Sequence, residues 1–140
     1  MGLRFYIDAD LLGVAKVLAT VRSDVTFPGD PGGLGADGLN RPACTVKPSD
    51  KDVDWLGVVT GQGLTVITRD RHIRSRPAEK QAIVEHSARV ITLDGRRGLR
   101  KWDQLEIIVT QWRKFEELSE LPGPWVYTAS RTGCRRFDLS

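Results

Sequence analysis

The sequence predicts an α/β fold, with a mainly parallel central sheet and helices packed on both of its faces. Two observations carry that expectation. Short apolar runs recur along the chain, and the segments between most of them repeat apolar residues at the three-and-four spacing of one helical face. Strands that alternate with helices pair in parallel, because each helix returns the chain to the starting edge of the sheet. The 140 residues suffice for one domain with its own core. Its core spans 3–118, and 122–140 forms a C-terminal edge strand and basic tail.

Each element has its own warrant. Leu3 to Ile7 reads as a buried strand ended by the acidic Asp8-Ala9-Asp10, and Leu11, Val14, Leu18 and Val21 then mark a helix with Asp10 near its start as a cap. Val25 to Phe27 is a brief second strand. Pro28 to Ser49 holds five glycines and four prolines with little periodic hydrophobicity, so it reads as a mobile loop or lid. From Asp52 a helix runs until Gly61 and Gly63 stop it, with Asp50 or Asp52 as cap. Leu64 to Thr68 is the third strand, Pro77 to Ser87 a helix opened by proline, and Arg89 to Leu93 the fourth strand. Lys101 to Leu118 is one long helix with Trp102, Leu105, Val109, Trp112 and Phe115 or Glu116 along one side, a core or dimer face; "GPWVYTA" adds an edge strand.

Composition removes several classes. Hydrophobic residues at 40% and charged residues at 28% are ordinary for a globular protein. No apolar run nears the ~20 residues that cross a bilayer. The start, MGLRFYIDAD, lacks a secretory pattern, which makes the cytoplasm the expected compartment. Cys44 and Cys134 show no metal-ligand spacing and are expected as free thiols. Charge is uneven: residues 1–60 carry eight acids against six bases, and residues 69–101 carry ten bases, Arg96 and Arg97 among them, against four acids. The basic segment suggests an anionic polymer as partner, with a solvated surface as the plainer explanation.

Ligands of such sheets bind outside the carboxyl ends of the strands. Asp8 follows the first strand, Asp70 follows the third, and Asp52 and Asp54 open the helix that faces the same rim, so the acids converge. Grouped carboxylates repel one another and raise their own pKa values unless a cation relieves them. Oxygen-only ligation suits Mg²⁺ or Mn²⁺ rather than zinc, and such ions activate water for in-line attack on phosphorus. Arg69, Arg71, Arg74 and Arg76, next to the acids, would neutralise the polymer's phosphates.

"FYIDADL" and "DVDWLGVVTGQGLTVITRDRHI", in that order and spacing, resemble a PIN domain, the metal-dependent ribonuclease fold used by VapC toxins, over roughly residues 3–93. The resemblance implies a three-layer αβα sandwich and a Mg²⁺- or Mn²⁺-dependent endoribonuclease that leaves a 5′-phosphate and a 3′-hydroxyl. In a toxin, a small antitoxin would occupy the acidic cleft. Asp8 would be the first metal ligand, Asp52 or Asp54 the helix-opening acid, and Asp70 the acid after the third strand, accompanied by the Thr68 hydroxyl. The sequence departs from the VapC pattern where the Gly/Pro loop stands in place of an acidic helix. Asp30, Glu79 and Asp94 are the candidates for a further acid.

Plainer roles stand beside these. Asp70 pairs with Arg69 or Arg71, one of Asp52 and Asp54 only caps its helix, Glu79 serves the first turn of its own, and His72 is a loop histidine near phosphate. Trp125, Arg131, Arg135 and Arg136 bind nucleic acid or keep the end soluble. Two other functions fit the same residues: an RNA-binding module without a working metal site, and a haloacid dehalogenase-like phosphatase with Asp8 as nucleophile and Asp10 as general acid.

Overall fold

The computed structural model describes residues 2–94 and 99–140. The elements run β1 (Phe5–Ile7), a 3₁₀ turn (Ala9–Leu11), α1 (Leu12–Val21), β2 (Val25–Thr26), β3 (Gly33–Leu34), β4 (Asn40–Arg41), α2 (Asp52–Gly61) and β5 (Thr65–Thr68). A second 3₁₀ turn (Arg71–Arg74), α3 (Pro77–Glu85), β6 (Arg89–Leu93), α4 (Lys101–Thr110), α5 (Trp112–Ser119), β7 (Trp125–Ser130) and β8 (Gly133–Phe137) follow. Six strands form one sheet in the order β2-β1-β5-β6-β7-β8, parallel except for the antiparallel β8. The α/β expectation holds.

Alternation along the strands divides the core into two layers. Phe5, Ile7, Ile67, Ile91, Leu93 and Trp125 pack against α1, α4 and α5. Tyr6, Val66, Val90 and Val126 point the other way, against Trp55, Leu56 and Val59 of α2 and Ile83 of α3. Two residues further along the second face the row turns polar: Thr68 is in register with Thr92, Thr92 with Thr128, and Thr128 with Arg135. The carboxyl edge of the sheet therefore carries hydroxyls where its middle carries aliphatic groups. That row ends at Asp8, the residue after β1, which is the strand paired with β5.

Five expectations need correction. The loop 28–49 is not structureless: β3 and β4 form a small antiparallel pair of their own. Asp30 and Arg41 are both buried and joined at 2.9 Å, and Arg41 also donates to the Ala19 carbonyl. Gly32, at φ +73°, is required there, since a Cβ would stand 2.5 Å from the Arg41 carbonyl oxygen. The long helix after Lys101 is broken at Gln111 into α4 and α5, and its phase differs from the expected stripe. Trp102 and Val109 face solvent, whereas Gln104, Ile107, Ile108, Phe115 and Leu118 face inward.

Asp10 does not cap α1. A 3₁₀ turn intervenes, and Asp8 accepts the Ala9 N–H at its start. Lys51, rather than Asp50 or Asp52, sits at the N-cap of α2, with no side-chain cap bond. Finally, "GPWVYTA" is not the sheet edge: β7 lies inside the sheet with Trp125 fully packed, and β8, which holds Arg135 and Arg136, takes the edge. No described helix is long and apolar enough to cross a membrane.

Candidate active site

A cavity of about 220 Å³ opens at the carboxyl edge of β1 and β5. Asp8, Asp10, Asp50, Asp52 and Asp70 line it together with Tyr6 and Trp55, and Pro28, Lys47 and Pro48 of the long loop close one side. Asp8 and Asp70 are there because β1 and β5 end there. Asp52 is there because α2 starts there, and the Trp55 Nε1–H fixes its carboxylate at 3.1 Å. Asp54, two residues along the helix, is exposed and does not line the cavity. Residues two apart on a helix point in opposed directions, so only one of this pair reaches the cleft.

Thr68 links the first two acids. Its Oγ1 lies 2.8 Å from Asp8 Oδ2 and 3.1 Å from Asp10 Oδ2, while accepting the Asp70 N–H at 3.1 Å. A hydroxyl has one hydrogen to donate, so one of the two carboxylate contacts is unsatisfied unless a proton or cation joins it. Asp10 also accepts the Arg69 N–H at 3.1 Å, and Asp70 accepts the His72 N–H at 3.0 Å. Asp10, expected from the sequence as a helix cap and as a supporting residue of the site, lines the cleft.

The electrostatics follow from this crowding. Burial first, and then the neighbouring Asp10 charge, push Asp8 up to about 7, against hydrogen bonds from Thr68 and Ala9. Asp10 is raised as well, chiefly by lost hydration. Asp52 is raised by burial, then by Asp70 and Glu79. On the other side of the cleft the charge is met by one guanidinium. Arg76 Nη1 lies 3.0 Å from Asp70, 3.4 Å from Glu79 and 3.8 Å from Asp52.

Apart from Asp50, the acids thus stand in two sets, Asp8 with Asp10 across Thr68, and Asp52 and Asp70 around Arg76, which also holds Glu79 outside the cavity lining. Among the described residues, no three His, Cys, Asp or Glu side chains are grouped closely enough to hold one ion by direct ligation. An ion that keeps much of its water shell, as Mg²⁺ does, needs only one or two carboxylates, and an all-oxygen set with excess negative charge fits that chemistry.

The other candidate residues are dispersed. Asp30 lies outside the cleft: its carboxylate is fully engaged by Arg41, Thr26 and the Gly32 N–H. Asp94 lines a separate cavity with Thr128, Ser130 and Arg135. Arg69, Arg71 and His72 are exposed beside the cleft. Arg74 instead reaches the C-terminal hairpin, donating to Thr128 at 2.7 Å with its guanidinium over the Phe137 ring. Arg96 and Arg97 lie outside the described residues. Cys44 and Cys134 are free. Two cleft residues had no place in the site expected from the sequence: Asp50, whose carboxylate accepts the Lys47 N–H, and Tyr6. For Tyr6 the signal existed, since strand alternation puts it on the same face as Asp8.

The chain is thus a mainly parallel α/β sheet with an acidic cleft at its carboxyl edge. The family model described as "PIN like domain" matches residues 3–95, and the chain belongs to that family. No curated protein and no solved structure matches the chain. The match leaves the haloacid dehalogenase-like reading of Asp8 and Asp10 without support.

Proposed function

We propose that the protein is a Mg²⁺- or Mn²⁺-dependent endoribonuclease, the toxin of a VapBC-type pair. One observation carries the reading: Asp8, Asp10, Asp52 and Asp70 line a single cavity at the carboxyl edge of the sheet, with Arg69, Arg71 and His72 exposed beside it. Asp8 and Asp10 would hold the cation on one side, Asp52 and Asp70 on the other, in part through water. When bound, the ion supplies an activated water and neutralises charge developing on the phosphate. The residues of the chain keep Asp8 oriented through Thr68 and Ala9, fix Asp52 through Trp55, and draw the RNA backbone in with the exposed cations. The partners are RNA, a small antitoxin protein over the cleft and, through the outward-facing Trp102 and Val109, a second copy of the chain.

The test is cleavage of single-stranded and structured RNA with EDTA, Mg²⁺ or Mn²⁺. Cleavage should require metal and fall at least a hundredfold in Asp8→Asn, Asp52→Asn and Asp70→Asn, while Asp54→Asn stays within about twofold of the parent. RNA left intact in every condition would favour the second reading, a non-catalytic RNA-binding module. That reading draws on Arg76, which already neutralises one set of cleft acids.

A further inference from the structure

Tyr6 is fully buried, yet its hydroxyl has no hydrogen-bond partner among the described residues. Buried polar groups are nearly always paired, and one left alone calls for a reason. Packing gives none, because phenylalanine would fill the same space without the orphan. The ring is held against Trp55, centroids 4.9 Å apart, so the hydroxyl cannot swing away to find a partner. What it faces is the acidic cavity, whose wall it forms with Asp8, Asp50 and Asp52.

The surroundings define the role. A phenol is protonated throughout the neutral range, so it can donate a hydrogen bond. The carboxylates of the cavity wall stand beyond hydrogen-bond reach of it, and the group that accepts its hydrogen must lie in the cavity itself. Its depth in the core, rather than at the rim where a polymer would pass, favours a small oxygen species.

We propose that the Tyr6 hydroxyl is a positioning donor to a water in the shell of the divalent cation bound between Asp8 and Asp52. The inference rests on the metal-dependent reading above and adds to it a neutral donor at the floor of the site. Such outer-shell hydrogen bonds orient bound water and set affinity as well as activity.

The test uses the full chain and Tyr6→Phe, without RNA. Mn²⁺ affinity is measured by the loss of the free-ion electron paramagnetic resonance signal, and thermal unfolding is followed with and without Mn²⁺. Tyr6→Phe should bind Mn²⁺ about tenfold or more weakly. Its melting temperature without metal should equal or exceed the parent's, since an unpaired buried hydroxyl has been removed, while the rise on adding Mn²⁺ should be smaller. Equal affinity and an equal rise in the two proteins would overturn the role of Tyr6 and leave the metal site standing. A lower metal-free melting temperature in the variant would mark a packing role and overturn it too. A parent chain that binds no Mn²⁺ would overturn both readings.

Discussion

A carboxylate at the end of a buried strand has few ways to remain charged, and Asp8 shows the consequence. It keeps its proton up to about pH 7 in the folded chain and releases it near its ordinary 3.8 when unfolded. Between those values the native state binds more protons, so this group's contribution to stability is full below about pH 4 and is lost as pH rises toward 7. Urea unfolding of the metal-free protein should therefore show stability falling between pH 4 and pH 7 by an amount on the order of 3 kcal/mol. Asp8→Asn should flatten much of that slope, leaving the smaller part due to Asp10 and Asp52, whose shifts share the same sign. An unchanged slope in the variant would sink the account. Asp8 and Asp70 were legible at this scale because a strand end is a local event. Asp10 was expected only as a supporting residue and as a cap, because one extra turn of 3₁₀ helix decides where its side chain points, and sequence periodicity fixes a helix start only to within a residue or two.

At the scale of elements, the segment 28–49 departs furthest from its sequence reading. Glycine and proline content marks it as loop, and composition says nothing of the buried ion pair that ties it down. Asp30 accepts from Thr26, Gly32 and Arg41, and Arg41 in turn reaches the Ala19 carbonyl on α1. The loop is thereby fastened to β2 and α1, and its Pro28, Lys47 and Pro48 are presented to the cleft. Breaking one side of a buried pair leaves the other charge stranded. Arg41→Met should cost about 3–5 kcal/mol in urea unfolding and expose the loop to limited proteolysis, whereas Arg41→Met with Asp30→Asn should recover a measurable part. Recovery of nothing by the double variant would show that the pair's charge is not what matters. The α4–α5 stretch fails for a different reason. Apolar residues occur on more than one side of it, and the side that packs is chosen by α1 and the sheet.

For the whole molecule, the C-terminal hairpin completes the sheet that the matched segment begins. β7 covers β6 along five residue pairs, and Trp125, Val126 and Ala129 are buried in the two core layers. A chain ending at residue 95 would leave β6 as an open parallel edge and remove α4 and α5 from one face. Residues 1–95 alone should lack a cooperative thermal transition by circular dichroism, and a sharp transition there would show that the family-matched part folds by itself. By itself, the sequence determined the alternation of strands and helices, the parallel sheet and the convergence of Asp8, Asp52 and Asp70 on one rim. These follow from spacing and from where strands and helices end, which neighbouring residues dictate. Only the tertiary structure decided that Asp52 rather than Asp54 turns inward, that Asp10 and Tyr6 share the cleft, that Arg76 sits among acids, and that Asp30 is locked to Arg41. Each of these depends on the rotation of one element against another, and that rotation is set by packing between residues far apart in the chain.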